Sequence, residues 1–436
     1  MTSIARRPLG TFSTLSIGLG GMVGGGIFAT TGLAVELTRG AVPIAFIVAG
    51  LVALLTSYSY LKLTLRYPGE GGTADFVNRG LGEGVIGGTA NMLLCLSYTV
   101  LIAIYAHALG TYGASFFPPE QFDFWRHTLL SSSLIVLTLL NLIGGDAVIR
   151  SENTLNAVKM LILLGLIAVG LYWPLDWGRL QTDQYVGSLA IVSGAMIVFF
   201  NYEGFELIAN AAKEVKNPQR SLPVAYIGGV LLVMVVYVLI AVVTVGQLSF
   251  SEIDTASSHV LTAVAQKLMG TAGHVLIATS AVLACGSAIN ATLYSSGRLT
   301  ATIARTGEFP LELARTYRGQ PIEGIILFAV VALFIANALP LGAIATIGSA
   351  GFLLIFLAVN YTNYRLARET GSKACVSVLG ALACAGSLVV LCLQVDENPA
   401  TKNQVWIVLG TIAISFAVQL CHSHWRQRRH HNRHAS

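Results

Sequence analysis

Charge is what this sequence has least of. Of its 436 residues only 11% are Asp, Glu, Lys or Arg, against 54% hydrophobic, whereas soluble domains carry about 25% charged residues. That deficit excludes a soluble globular enzyme. The net charge of +5 is spread through short connections and makes no face for nucleic acid. No GxxxxGK[ST] loop is present, so nothing speaks for ATP-driven pumping. There is no CxxC or Cys/His ligand spacing, hence no metal site, and no repeated filter or charged ring of the kind a channel needs. A membrane-embedded enzyme would need paired acids or a Ser/His pair at membrane depth. His107 stands alone in its apolar stretch and reads as a packing or hydrogen-bonding residue. Cys95, Cys285, Cys375, Cys384, Cys392 and Cys421 all lie in apolar stretches and read as small buried hydrophobes. With none in a predicted outer loop, no disulfide-linked partner subunit is expected.

What is present is long apolar runs. A membrane-crossing helix needs about 20 apolar residues, and twelve stretches are read as spans: near 11–38, 41–65, 84–117, 128–143, 155–173, 187–212, 223–246, 271–304, 322–340, 342–364, 374–395 and 405–422. The expected fold class is therefore an all-α membrane protein, a single transmembrane domain over 1–436. Arg6 and Arg7 precede what reads as a retained first span rather than a cleaved signal. All but five of the 26 basic residues (Arg39, Arg126, Arg179, Lys267 and Lys402) fall in segments placed inside. The positive-inside rule then predicts cytoplasmic termini, and the short termini and the lack of cysteine in the predicted outer loops suit a plasma (inner) membrane location. Residues 247–270 are expected to form an outer surface helix or lid. The tail 423–436 is expected to be a solvated basic segment near anionic lipid.

The first span is interrupted. Residues 20–29 read Gly-Gly-Met-Val-Gly-Gly-Gly-Ile-Phe-Ala, and each glycine of Gly24, Gly25 and Gly26 costs a helix about 1 kcal/mol against alanine. A broken helix frees N–H and C=O groups that lipid cannot satisfy, so the break must face protein, water or a ligand. The sixth span carries Asn201 and Glu203 beside Gly204, and a carboxylate at that depth costs at least about 2.5 kcal/mol. The two interruptions are five spans apart. Five is odd, so a second five-span unit enters from the opposite face, the mark of an inverted repeat with its site at mid-membrane. Repeat 1 would cover 11–173 and repeat 2 would cover 187–364, followed by two helices in 374–422. Two plainer readings stand beside this: glycines that only permit close packing, and a Glu203 that only bonds nearby backbone.

These residues resemble the amino acid–polyamine–organocation superfamily of transporters. The resemblance rests on Gly24-Gly25-Gly26-Ile27-Phe28 and on Tyr67-Pro68-Gly69-Glu70-Gly71-Gly72. It rests further on Phe199 to Glu206 running into Glu214-Val215-Lys216-Asn217-Pro218, on Ser287-Ala288-Ile289-Asn290-Ala291-Thr292, and on Arg305-Thr306-Gly307-Glu308-Phe309-Pro310. It implies a LeuT-like 5+5 inverted repeat of twelve helices, with helices 1 and 6 unwound, carrying amino acids or amines by alternating access. It places the substrate carboxylate at the N–H groups of Gly25 and Gly26, where a helix N-terminus favours an anion. It places the ammonium at the carbonyls of Val23, Phe200, Asn201 and Glu203. Side-chain selection would fall to Tyr98, Tyr202, Phe205 and Asn290.

The resemblance also bears on coupling. Lys159, about one turn into the fifth span, reads on periodicity alone as a lysine reaching for the inner surface. Sodium-coupled relatives of this fold hold Na⁺ between helices 1, 5 and 8, whereas the proton-coupled (ApcT-like) branch places a helix 5 lysine there, and Lys159 matches it. A protonated Lys159 bonding the Gly20 carbonyl and the Ser287 hydroxyl would replace sodium. The expectation is proton-coupled symport of an amino acid, a small-molecule substrate of unspecified side chain, with no cofactor, no sodium site and the lipid bilayer as surroundings. An exchanger, or a carrier of cationic amino acids or polyamines, remains an alternative. Glu203 is left open between favouring cationic substrates and serving as a second proton site.

Overall fold

Backbone buried in hydrocarbon has no water to bond, so apolar runs of this length close their hydrogen bonds within helices. The computed structural model describes residues 8–69, 71–144, 146–316, 320–397 and 403–434. Arg6, Arg7, Glu70, Arg318 and Lys402 lie outside the described residues, as do the side chains of Arg150 and of the basic tail. Among the described residues the chain is all-helical, with two isolated bridges, Leu9 to Val215 and Arg39 to Tyr185, in place of any sheet.

In order the helices are α1 (Thr11–Met22), α2 (Gly26–Thr38), α3 (Val42–Arg66), α4 (Gly72–Leu81), α5 (Val85–Ala114), α6 (Phe122–Gly144), α7 (Asp146–Tyr172), α8 (Ser188–Ile197) and α9 (Leu207–Asn210). They continue with α10 (Pro218–Gln247), α11 (Phe250–Ala256), α12 (Val260–Arg305), α13 (Ile322–Ala338), α14 (Leu341–Arg365), α15 (Ala374–Glu397) and α16 (Asn403–His434). Among the described residues nine helices are long and apolar enough to cross a membrane, or up to eleven if each of two bent pairs is one span. α13 is apolar but shorter, at 17 residues. The chain is thus a multi-pass membrane protein.

Several helices outrun the stretches read from hydropathy. α7 starts at Asp146 rather than near 155, α6 at Phe122 rather than 128, and α16 continues to His434 rather than stopping near 422. Apolarity marks only the part at bilayer depth, while hydrogen bonding carries a helix on into polar sequence. The stretch 247–270 divides. α11 is a short surface helix held by a capping box, in which Ser249 Oγ accepts from Glu252 N and Ser249 N donates to Glu252 Oε2. The remainder opens α12, which turns at Gly270, where φ is +63°. The segment after α11 lies directly on α2: a side chain on Gly32 would overlap the Ser257 carbonyl.

α5 is the central helix. In its apolar window 89% of residues are buried, against 17% for α16 and 22% for α6, which places the latter two at the periphery. α3, α10, α12 and α14 complete the packing around the bent pairs. In α10, Pro223 sits inside the helix and is followed by a π turn over Val224–Gly228, since the proline ring cannot donate to the preceding turn.

Candidate functional site

The structure brings two helix breaks into contact. α1 ends at Met22 and α2 begins at Gly26, the pair bent by 48°. α8 ends at Ile197 and is bent, also by 48°, against the segment Phe199–Asn210, which holds a 3₁₀ turn over Phe199–Tyr202 before α9. The two breaks meet through glycine. A Cβ on Gly21 would stand 2.5 Å from Gly204 Cα, and one on Gly204 would stand 2.5 Å from Gly21 Cα. Gly204 has φ +118°, a conformation in which only glycine is at ease. Asn201 fills the next space: a Cβ on Gly26 would overlap its Oδ1, while its Nδ2 donates to Thr30 Oγ1 at 2.8 Å.

The last carbonyls of a helix have no partner in the helix itself. Tyr237 of α10 supplies one from outside. Its hydroxyl lies 2.6 Å from the Met22 carbonyl and 3.1 Å from the Asn201 carbonyl, spanning both breaks. The Phe200 carbonyl accepts from Glu203 N at 3.0 Å. Of the four carbonyls expected to face an ammonium, those of Phe200 and Asn201 are therefore engaged in this conformation. Val23, only 2% exposed, caps α1. Gly25 and Gly26 open α2, so their N–H groups are among those without an intrahelical acceptor.

Beside the breaks lies a cavity of about 20 Å³, lined from one side by Gly20, Gly21, Glu203, Gly204 and Glu206. That is room for a water molecule and too little for an amino acid. α5 contributes Tyr98, Leu101 and Tyr105, and α12 contributes Ala288, Ala291, Thr292 and Ser295. The two carboxylates differ. Glu206 Oε2 accepts from Gly204 N at 2.6 Å and Oε1 accepts from the Tyr98 hydroxyl at 3.2 Å. Glu203 is 1% exposed, and among the described residues neither of its oxygens has a hydrogen-bond partner. A larger vestibule of about 640 Å³ opens at the end of the molecule carrying Arg298 and Arg305. Tyr98 and Ser295 line both spaces, so they form the wall between them.

Lys159 is buried, at 3% exposure. It belongs to the inward stripe of α7 with Leu163, Leu166, Ile167 and Gly170, and so does not reach for the surface. It lies thirteen residues into α7, roughly 20 Å along the helix, and, as expected, a little over one turn into the apolar span Thr154–Tyr172. Lys159 interacts electrostatically with Cys285 of α12, whose Sγ would stand 2.6 Å from a Cβ on Gly25. One turn earlier, the Asn156 amide presses on Gly20, where a Cβ would overlap its Nδ2. Ser287 is half-buried on α12 and does not line the cavity.

Three side chains expected to select the substrate point elsewhere. The Tyr202 hydroxyl donates to the Phe46 carbonyl at 2.7 Å, because the 3₁₀ turn aims it at α3. Phe205 packs edge-on against Tyr60 and beside Phe356, in an aromatic cluster behind the break. Asn290 accepts from Asn141 Nδ2 at 2.7 Å, on the face of α12 turned to α6. Of the four, Tyr98 alone lines the cavity. The sequence reading missed Glu206, Tyr105, Thr292, Ser295, Asn156 and Tyr237. Three of these omissions, Tyr105, Thr292 and Ser295, had a signal. Tyr98, Leu101 and Tyr105 follow a helical spacing, as do Ala288, Ala291, Thr292 and Ser295, so each set lies on one helix face.

Comparison with known proteins gives a consistent result. The family model described as amino acid permease matches residues 9–417. The inner membrane transport protein YbaT of Escherichia coli is 32% identical over 417 residues, covering 95% of this chain and 96% of its own. The branched-chain amino acid permease BcaP of Bacillus subtilis is 25% identical over 450 residues, covering 97% and 95%. Cationic amino acid transporter 9 of Arabidopsis thaliana is 28% identical over 335 residues, covering 72% of this chain and 58% of its own.

Proposed function

The chain belongs to the amino acid permease family, and on that premise we propose that it is a secondary active transporter of amino acids, working by alternating access as a proton-coupled symporter. The proposed frame is twelve spans: a LeuT-like five-plus-five inverted repeat over 11–173 and 187–364, two further helices in 374–422, and both termini on the cytoplasmic side of the plasma membrane. The observation that carries this reading is the meeting of two bent helix pairs, Gly21 against Gly204, with main-chain groups left at mid-span.

In this reading the substrate carboxylate binds the N–H groups of Gly25 and Gly26, at the positive end of α2. Its ammonium binds the Val23 and Glu203 carbonyls. The Phe200 and Asn201 carbonyls, now held by Glu203 N and Tyr237, offer their second lone pairs or exchange partners as the breaks move. Such contacts recognise any α-amino acid without reading its side chain. The cavity is too small for one in this conformation, so loading requires the breaks to part from α5 or α12.

Lys159 carries the coupling proton. Its burial on the α7 stripe, near enough for its charge to act on Cys285, whose Sγ borders Gly25, supports a charge that reports on the first break. A proton shifts a conformational equilibrium only as far as it favours one state over the other, and a buried ammonium whose surroundings change with the helix break meets that condition. No sodium site and no cofactor are required. Uptake of labelled amino acids into proteoliposomes in sodium-free buffer, with and without an inward pH gradient, tests the reading. Gradient-driven accumulation that disappears in Lys159→Ala is expected; uptake that needs sodium and ignores pH rejects it. Counterflow persisting in Lys159→Ala without accumulation would separate lost coupling from lost binding.

A further inference from the structure

Glu203 and Glu206 line the same cavity, but only Glu206 has partners there. The Glu206 carboxylate closes the turn at Gly204 and anchors Tyr98, and its role is accounted for by those two bonds. Glu203 is 1% exposed, lines the cavity and has two oxygens without a hydrogen bond. The cavity lining contains no lysine, arginine or histidine. An unpaired carboxylate buried away from water is among the costliest groups a protein can hold, and within a membrane such a group marks a solute path by default. The side chains lining the cavity offer no cation, so whatever neutralises Glu203 there, a proton or a cationic group on the solute, is not one of them, and the solute is the partner that enters this space.

We infer that the Glu203 carboxylate is the specificity-determining group of the transporter, and that it receives a second cationic group, an ammonium or guanidinium, carried on the substrate's side chain. The position fits. The Glu203 main chain belongs to the break that holds the backbone of the substrate, so its carboxylate lies one side-chain length from the amino acid's α-carbon. The opposite wall on α12 is built from Ala288, Ala291, Thr292 and Ser295, small residues that leave space when the helices part and present hydroxyls rather than competing charges. Tyr98, bonded to Glu206, bounds the same space. A neutral side chain would leave Glu203 desolvated and unpaired in the loaded state; a cationic one satisfies it.

The inference rests on the amino acid transport reading above, and the test separates the two. Purified protein in proteoliposomes is assayed for competition of uptake by near-isosteric pairs, lysine against norleucine and arginine against citrulline, in wild type, Glu203→Gln and Glu206→Gln. A charge-assisted bond in a desolvated site is worth a factor of roughly ten to a hundred in affinity. The wild type should therefore favour the cationic member of each pair at least tenfold. Glu203→Gln should lower that ratio by about tenfold or more, whereas Glu206→Gln should shift both members together. Wild-type binding of norleucine and citrulline on a par with lysine and arginine overturns the inference while leaving amino acid transport standing, as does an unchanged ratio in Glu203→Gln. The wild-type ratio needs no variant, so misfolding of a mutant does not shield the idea. Failure of every amino acid to compete sinks both readings.

Discussion

Tyr237→Phe removes one oxygen and leaves the ring, which is fully buried and packed against Phe46 and Tyr202. The hydroxyl has one proton, and it is shared between the Met22 carbonyl at 2.6 Å and the Asn201 carbonyl at 3.1 Å. Met22 ends α1, so its carbonyl has no helical donor to fall back on. Leaving a buried acceptor unmet costs about 1–3 kcal/mol, and hydrogen bonds between membrane helices measure about 0.6 kcal/mol on average and up to about 1.7. The expected loss is therefore about 1–2 kcal/mol, near the upper membrane values, because two orphan carbonyls depend on one donor. Tyr202→Phe is the matched control. It removes an equally buried hydroxyl, but the Phe46 carbonyl lies inside α3 and keeps its helical partner, so the expected loss is under about 1 kcal/mol. Denaturant unfolding in detergent, read by tryptophan fluorescence, gives the two values. Uptake should fall severalfold in Tyr237→Phe and stay near wild type in Tyr202→Phe. Equal losses in stability and equal uptake in the two variants would refute the argument that Tyr237 matters for joining the breaks.

The remaining predictions concern glycines. Gly204→Ala combines a φ of +118° with a Cβ 2.5 Å from Gly21 Cα. The left-handed strain alone is about 1–2 kcal/mol and the backbone overlap adds to it, so a large fall in thermal midpoint with loss of uptake is expected; a midpoint within a degree of wild type contradicts the close contact. Gly32→Ala pushes a methyl into the Ser257 carbonyl and should lift the segment after α11 off α2. Hydrogen exchange should then quicken over 250–262, while the amides of α5 stay protected; unchanged exchange over 250–262 argues against the contact.

How much of this was legible beforehand depends on scale. The membrane class followed from the scarcity of charge, because apolar length is a property of composition that no packing detail can reverse. The run Gly24 to Gly26 marked where α1 gives way to α2, since three poor helix formers in a row act locally. What the sequence did not reveal was which way side chains point once a helix is interrupted. Tyr202 and Phe205 sit next to the cavity in the chain but turn to α3 and to the aromatic cluster, while Asn290, in the regular part of α12, turns to α6 simply because it lies on another face of that helix. A 3₁₀ turn changes the angular step between residues from the α-helical one, so α-helical periodicity fails just where the break occurs. Tyr237 was invisible for a different reason: its role exists only across space, between α10 and two carbonyls some 36 and 215 residues away in the chain. Lys159 lay between these cases. Its place about one turn into the span was readable, but its burial in one stripe with Leu163, Leu166 and Gly170, rather than a reach for the surface, depended on which helices pack against α7.

The wall formed by Tyr98 and Ser295 has an electrical consequence. In the orientation proposed above, the 640 Å³ vestibule brings cytoplasmic solvent to within one layer of side chains of Glu203. Conducting solution carries little voltage drop, so the field of the membrane is compressed into the protein on the far side of that layer. A cation reaching Glu203 from outside would traverse most of the potential, worth about 2.3 kcal/mol per charge for each 100 mV, whereas its onward departure would cross almost none. Capture would respond to voltage and discharge would not, making the cell's resting potential a valve that acts on entry alone.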